Sequence, residues 1–140
     1  HQLHRRQRQM CIRDRLIVSP NTDKDVIKAT KDKGMLSFPG VLTPSECFSA
    51  INSGADALKI FPAFKLGIDG FKAMKAVLPS DVKTYGVGGI NENHFHEWLL
   101  AGLTGFGIGS NLFHPSMNDD DIKTTAKKII IGYDSWFAER

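Results

Sequence analysis

The run "ADALKIFPA", residues 55–63, reads as a short buried strand with a charged residue at its centre. Lys59 stands between Leu58 and Ile60, where an ammonium group is hardest to solvate. Four other short apolar runs share its setting: "LIVSP" (16–20), "MLSFPGV" (35–41), "TYGVGG" (84–89) and "GFGIGS" (105–110). Each is followed by a turn and then an amphipathic helical stretch, which predicts parallel βα units. The runs start about every 20 residues, as in a (β/α)₈ barrel, whereas a complete barrel takes about 250 residues. Two architectures therefore stand: a complete small doubly wound sheet, or about five C-terminal βα units of a barrel whose first strands are missing.

The helix starts are marked by local chemistry. "TPSE" (43–46) offers Thr43 as N-cap, Pro44 at the first helical position and Glu46 to close a capping box, with an end near Gly54. Phe71, Met74, Val77 and Leu78 recur at helical spacing before Pro79 stops the run. Asn91 can cap a helix that buries Phe95, Trp98 and Leu99 and closes at Gly102. The acidic "NDDD" (118–121) suits the positive N-terminus of a last helix carrying Ile122, Ala126, Ile129 and Ile130.

Composition narrows the function classes. A chain of 140 residues, 41% hydrophobic and 24% charged, fits one ordinary globular domain. No run approaches the length of a membrane span and the N-terminus lacks the apolar core of a secretory signal, so the expected location is cytoplasmic. Cys11 and Cys47 support neither a disulfide framework nor a zinc site, and His94 and His96 point in different directions on a helix. No metal is expected. The net charge of +3 is concentrated in residues 1–15, which hold five arginines and one aspartate. The remainder is close to neutral, so no nucleic-acid partner is expected. Residues 1–15, "HQLHRRQRQMCIRDR", lack apolar periodicity and are set apart as a non-native or disordered basic leader, the domain proper being 16–140. A genuine basic arm is the alternative.

Alternation along a barrel strand places Leu58 and Ile60 against the helices, and Ala57, Lys59 and Phe61 inward. Burial disfavours a charged amine and lowers its pKa, and a neutral amine is the species that attacks a carbonyl to form a Schiff base. The competing reading is a lysine snorkelling from a frayed strand end. Gly88, Gly89, Gly109 and Ser110 close the last two strands, where barrels frequently bind phosphate through loop N–H groups; tight βα turns alone would also explain the glycines. Pro39 and Gly40 end the second run as a turn, or shape one face of a pocket.

Taken in order, "LIVSPN", "FPGVLTPSE", "ALKIFPA", "VGGI" and "GIGS" resemble the KDPG aldolase family over residues 16 to about 137. The resemblance implies a (β/α)₈ barrel, a homotrimer in the full-length family, and cleavage of a phosphorylated keto-deoxy sugar acid to pyruvate and glyceraldehyde 3-phosphate. It implies no metal and no cofactor, the electron sink being a covalent imine on lysine. Lys59 matches the Schiff-base lysine, Phe61 the aromatic residue beside it and Pro39 the proline of the pyruvate pocket. Gly88, Gly89 and Ser110 match the phosphate loops. "YGVGG" with Val87 is more like the galactonate-specific members than the gluconate ones. The family's acid/base glutamate and carboxylate-binding arginine have no match in this sequence. The expectation is therefore an inactive fragment with two open sheet edges, prone to associate. The rival readings are a sugar-phosphate epimerase-like barrel and a phosphate-binding domain without catalysis.

Overall fold

The computed structural model describes residues 15–138. Residues 1–14, which make up the proposed leader except for Arg15 and include Cys11, lie outside the described residues.

The elements alternate as the runs predict. They are β1 (Leu16–Val18), α1 (Lys24–Asp32), β2 (Leu36–Phe38), β3 (Gly40–Val41), α2 (Pro44–Asn52), β4 (Leu58–Ile60) and α3 (Ala63–Val77). There follow β5 (Thr84–Val87), a 3₁₀ turn (Glu92–His94), α4 (Phe95–Leu100), β6 (Gly105–Gly107) and α5 (Asp119–Ala138). All strand pairs are parallel: β1 with β2, then β3, β4, β5 and β6 side by side.

The second predicted run is two strands rather than one. Pro39 has no N–H to donate and separates β2 from β3, so the first piece pairs with β1 and the second with β4. This change of partner turns the sheet.

Strand order follows chain order without the reversal that marks a doubly wound sheet. The helices also cover one face only. Ile27 of α1, Cys47 and Ala50 of α2, Phe71 and Met74 of α3 and Phe95 and Trp98 of α4 form one buried cluster with Val41, Leu58 and Ile60. The chain is thus an α/β protein whose described strands make an arc of a (β/α) barrel, helices outside and the other strand face inside. On that inner face, Leu16, Val18 and Leu36 are 40%, 50% and 44% exposed.

The helix ends obey the local signals. Thr43 Oγ1 accepts from Glu46 N–H at 3.3 Å, and Glu46 Oε2 accepts from the N–H groups of Thr43 (2.9 Å) and Leu42 (2.8 Å). Asn91 caps the 3₁₀ turn before α4. Two helical positions differ from the spacing-based expectation: Val77 is 56% and Ile130 58% exposed, each at the margin of its helix's buried stripe. A further lock joins three elements at the N-terminal end of the strands. The Asp56 carboxylate accepts from Lys31 Nζ at 2.7 Å and from Ser37 N–H at 2.7 Å, holding α1 and β2 to the start of β4.

Candidate active site

Lys59 owes its position to backbone bonds on both sides of β4. Its N–H donates to the Pro39 carbonyl at 2.9 Å, Phe61 N–H donates to Val41 at 3.1 Å, and Leu58 N–H to Lys83 at 2.9 Å. The register sets Lys59 level with Gly40 on one side and Tyr85 on the other. Leu58 and Ile60 are buried among the helices, so Lys59 projects from the inner face as alternation requires.

The amine lies 4.3 Å from the centroid of the Phe61 ring. Burial holds its pKa below the ordinary lysine range. Among the described residues the carboxylate ion pairs are Lys28–Asp32 and Lys31–Asp56, neither of which involves Lys59. Among the described residues the Phe61 ring face, and no carboxylate, meets the charged form.

The glycine loops lie against this pair. The Phe61 Cδ2 is 3.6 Å from the place a Cβ on Gly88 would take, and the Gly88 carbonyl accepts from Phe64 N–H at 3.2 Å. Gly89 has φ +72°, and a Cβ there would stand 2.6 Å from Phe64 Cβ, so any side chain would displace the first turn of α3. The loop after β6 is bound to the loop after β5 by Asn111 Nδ2, which donates to the Ile90 carbonyl at 2.9 Å. Gly109 turns that loop, its carbonyl accepting from Leu112 and Phe113 N–H, and Ser110 is exposed. Lys59, Phe61, Gly88 and Gly89 thus form one contiguous group at the C-terminal end of the strands, with Gly109 and Ser110 on the adjoining loop.

Pro39 stands differently. Its ring is fully buried, and it meets Lys59 through its carbonyl. Two residues absent from the sequence-derived site share the inner face with the lysine. Phe38 and Tyr85 stack at 5.3 Å with their planes 25° apart. Alternation in "TYGVGG" was a usable signal for Tyr85, but its level relative to Lys59 depends on strand register. No group of histidine, cysteine or carboxylate side chains able to hold a metal occurs among the described residues. An apolar groove of about 340 Å³ runs along the free side of β6, lined by Tyr85, Phe106, Ile108, Ile129 and Tyr133 but not by Lys59.

Residues 12–128 match the family model for KDPG and KHG aldolase. A protein of Rhizobium meliloti named probable 2-dehydro-3-deoxy-6-phosphogalactonate aldolase is 42% identical over 121 residues, 86% of this chain and 57% of the relative. A solved structure described as native KDPGal superposes with a TM-score of 0.85 at 37% identity, over 89% of this chain and 60% of that one. A Legionella pneumophila KDPG aldolase, described with pyruvate captured at low pH as a covalent carbinolamine intermediate, superposes with a TM-score of 0.67 at 27% identity, covering 86% and 57% of the two chains. The chain therefore spans a little over half the length of these relatives. From its inner-face lysine to its glycine-ended strands, this chain belongs to the KDPG and KHG aldolase family.

Proposed function

We propose that these residues carry the imine-forming part of a class I aldolase, a carbon–carbon lyase acting on a phosphorylated keto-deoxy sugar acid. The observation that carries this reading is Lys59: an amine on the inner face, under an aromatic ring at 4.3 Å, with a lowered pKa and no carboxylate ion pair among the described residues. The carbinolamine described for the Legionella neighbour supports the same chemistry.

In this mechanism the neutral Lys59 amine attacks the keto carbon, and loss of water from the carbinolamine leaves a protonated imine. A base removes the proton of the hydroxyl two carbons away, the carbon–carbon bond between them breaks, and its electron pair moves into the imine as an enamine. Glyceraldehyde 3-phosphate leaves. Protonation and hydrolysis of the enamine release pyruvate and restore the amine. No metal or organic cofactor takes part, because the imine nitrogen is the electron sink. Phe61 packs against the three-carbon unit, Pro39 holds the lysine strand through its carbonyl, and N–H groups of Gly88, Gly89, Gly109 and Ser110 bind the phosphate. A general base takes the hydroxyl proton, and losing such a base costs about 10²- to 10⁴-fold in turnover. The substrate belongs to the galactonate series: Val87 ends β5 on the inner face, and the Rhizobium relative carries the galactonate name. A cytoplasmic homotrimer completes the proposal.

Borohydride trapping tests it. After incubation with pyruvate and reduction, peptide mass spectrometry is expected to find one adduct, on Lys59, and none in Lys59→Met. A folded chain without an adduct, or with adducts spread over surface lysines, would overturn the proposal.

A further inference from the structure

Phe61 covers the Lys59 amine on one side, but a single ring leaves a four-carbon side chain free to swing across an open sheet. The same inner face also carries Phe38 and Tyr85, which the proposed mechanism does not use. Tyr85 is the register partner of Lys59 on β5, and Phe38 precedes by two residues the register partner on β3, Gly40. The two rings therefore stack diagonally across β4, level with Ala57 and Lys59, and Ala57 is small enough to lie beneath them and is itself 2% exposed. The third neighbour is also cut to fit. A Cβ on Gly105, the register partner of Tyr85 on β6, would stand 3.0 Å from Tyr85 Cε1 and 3.1 Å from Cδ1, tighter than ordinary contact. Tyr85 is thus held between the Phe38 ring and a bare strand.

We propose that the Phe38–Tyr85 stack is a positioning element for Lys59, a fixed apolar floor on the same inner face that keeps water from the near side of the amine and confines its swing. This rests on the reading of Lys59 as the nucleophile, but the floor acts on the amine whether or not a keto acid ever binds. Its components follow from the geometry: the rings supply the surface, while Ala57 and Gly105 supply the room. The lowered pKa of Lys59 agrees with it, since burial is its cause.

The test reads the amine directly. The full chain is treated with a trace of acetic anhydride across a pH series, and the rate at the Lys59 peptide gives its titration, with exposed lysines as internal reference. Tyr85→Ala should move the Lys59 midpoint to higher pH and lower its rate below that midpoint severalfold, whereas Tyr85→Phe, which keeps the ring, should leave both unchanged. Near-ultraviolet circular dichroism checks the fold. Phe38→Leu, which keeps apolar bulk but cannot stack, carries the same expectation in a smaller degree should Tyr85→Ala unfold. An unchanged titration in the folded Tyr85→Ala or Phe38→Leu chain would overturn the floor, and so would a shift in Tyr85→Phe as large as in Tyr85→Ala, which would assign the effect to the hydroxyl. Pyruvate trapping is a separate readout: its failure with a normal amine titration would sink the aldolase reading and leave the floor standing.

Discussion

At the scale of single residues, Lys59 is held against its own stability. Its folded pKa lies below the ordinary one, so the protonated amine is disfavoured on folding. That cost is complete below the folded pKa and vanishes above the ordinary lysine range. Lys59→Met should therefore melt somewhat higher than the parent at neutral pH, with the gain shrinking as pH rises toward that range. A melting temperature that falls at neutral pH would show that the lysine makes a contact worth more than its burial costs. Thr84 is a second residue in tension: it is fully buried, and its Oγ1 has no hydrogen-bond partner among the described residues. Thr84→Val, of nearly the same shape, should be neutral or stabilise by about 1 kcal/mol in urea unfolding. Lys59 was conspicuous in the sequence because a charge interrupts an apolar run. Phe38 and Tyr85 were not, because rings in strands are ordinary and their level across the sheet is fixed by backbone pairing far along the chain.

At the scale of elements, local chemistry was legible and partner choice was not. The capping box of α2 lies within four consecutive residues and appears as predicted. The separation of β2 from β3 depends on which neighbour each half pairs with, and no pattern within "MLSFPGV" encodes that. Val77 and Ile130 fit the helical period but sit at the margin of the packed stripe, where period alone does not decide burial. The α2 cap also makes a prediction. Thr43→Ala removes the acceptor of Glu46 N–H and should cost about 1 kcal/mol. Glu46 is held below the ordinary carboxylate range chiefly by the Leu42 N–H, burial opposing. For Asp56, burial pushes upward but is outweighed by Lys31 and the Ser37 N–H, leaving it lowered. Both contributions are present above the ordinary carboxylate range and disappear as pH falls through the lowered values. Stability measured from pH 7 downward should hold until that range and then decline, and Glu46→Gln should flatten the decline. An equally steep decline in Glu46→Gln would remove Glu46 from the account.

At the scale of the whole molecule, the arc ends in β1 and β6, each with one side unpaired among the described strands. Leu16, Val18 and Leu36 lie exposed beside the first edge, and the apolar groove runs along the second. Unpaired parallel edges with apolar surroundings favour pairing with another chain. The 140-residue chain should therefore associate as concentration rises, read by sedimentation velocity, and bind a hydrophobic dye more than a closed barrel does. A single monomeric species with one cooperative thermal transition would count against this expectation.

The side-by-side strand order bears on how the chain finds its fold. Leu16 meets Leu36, Gly40 meets Lys59, Lys59 meets Tyr85 and Tyr85 meets Gly105. Each strand waits only for the next one in the chain, so no pairing requires closing a loop across the whole polypeptide. Short-range contacts of this kind favour fast folding. They also let the arc grow in one direction, each unit docking on its predecessor while the next is still being made. The lysine strand would be seated between its neighbours as soon as β5 arrives, before β6 and the last helix exist.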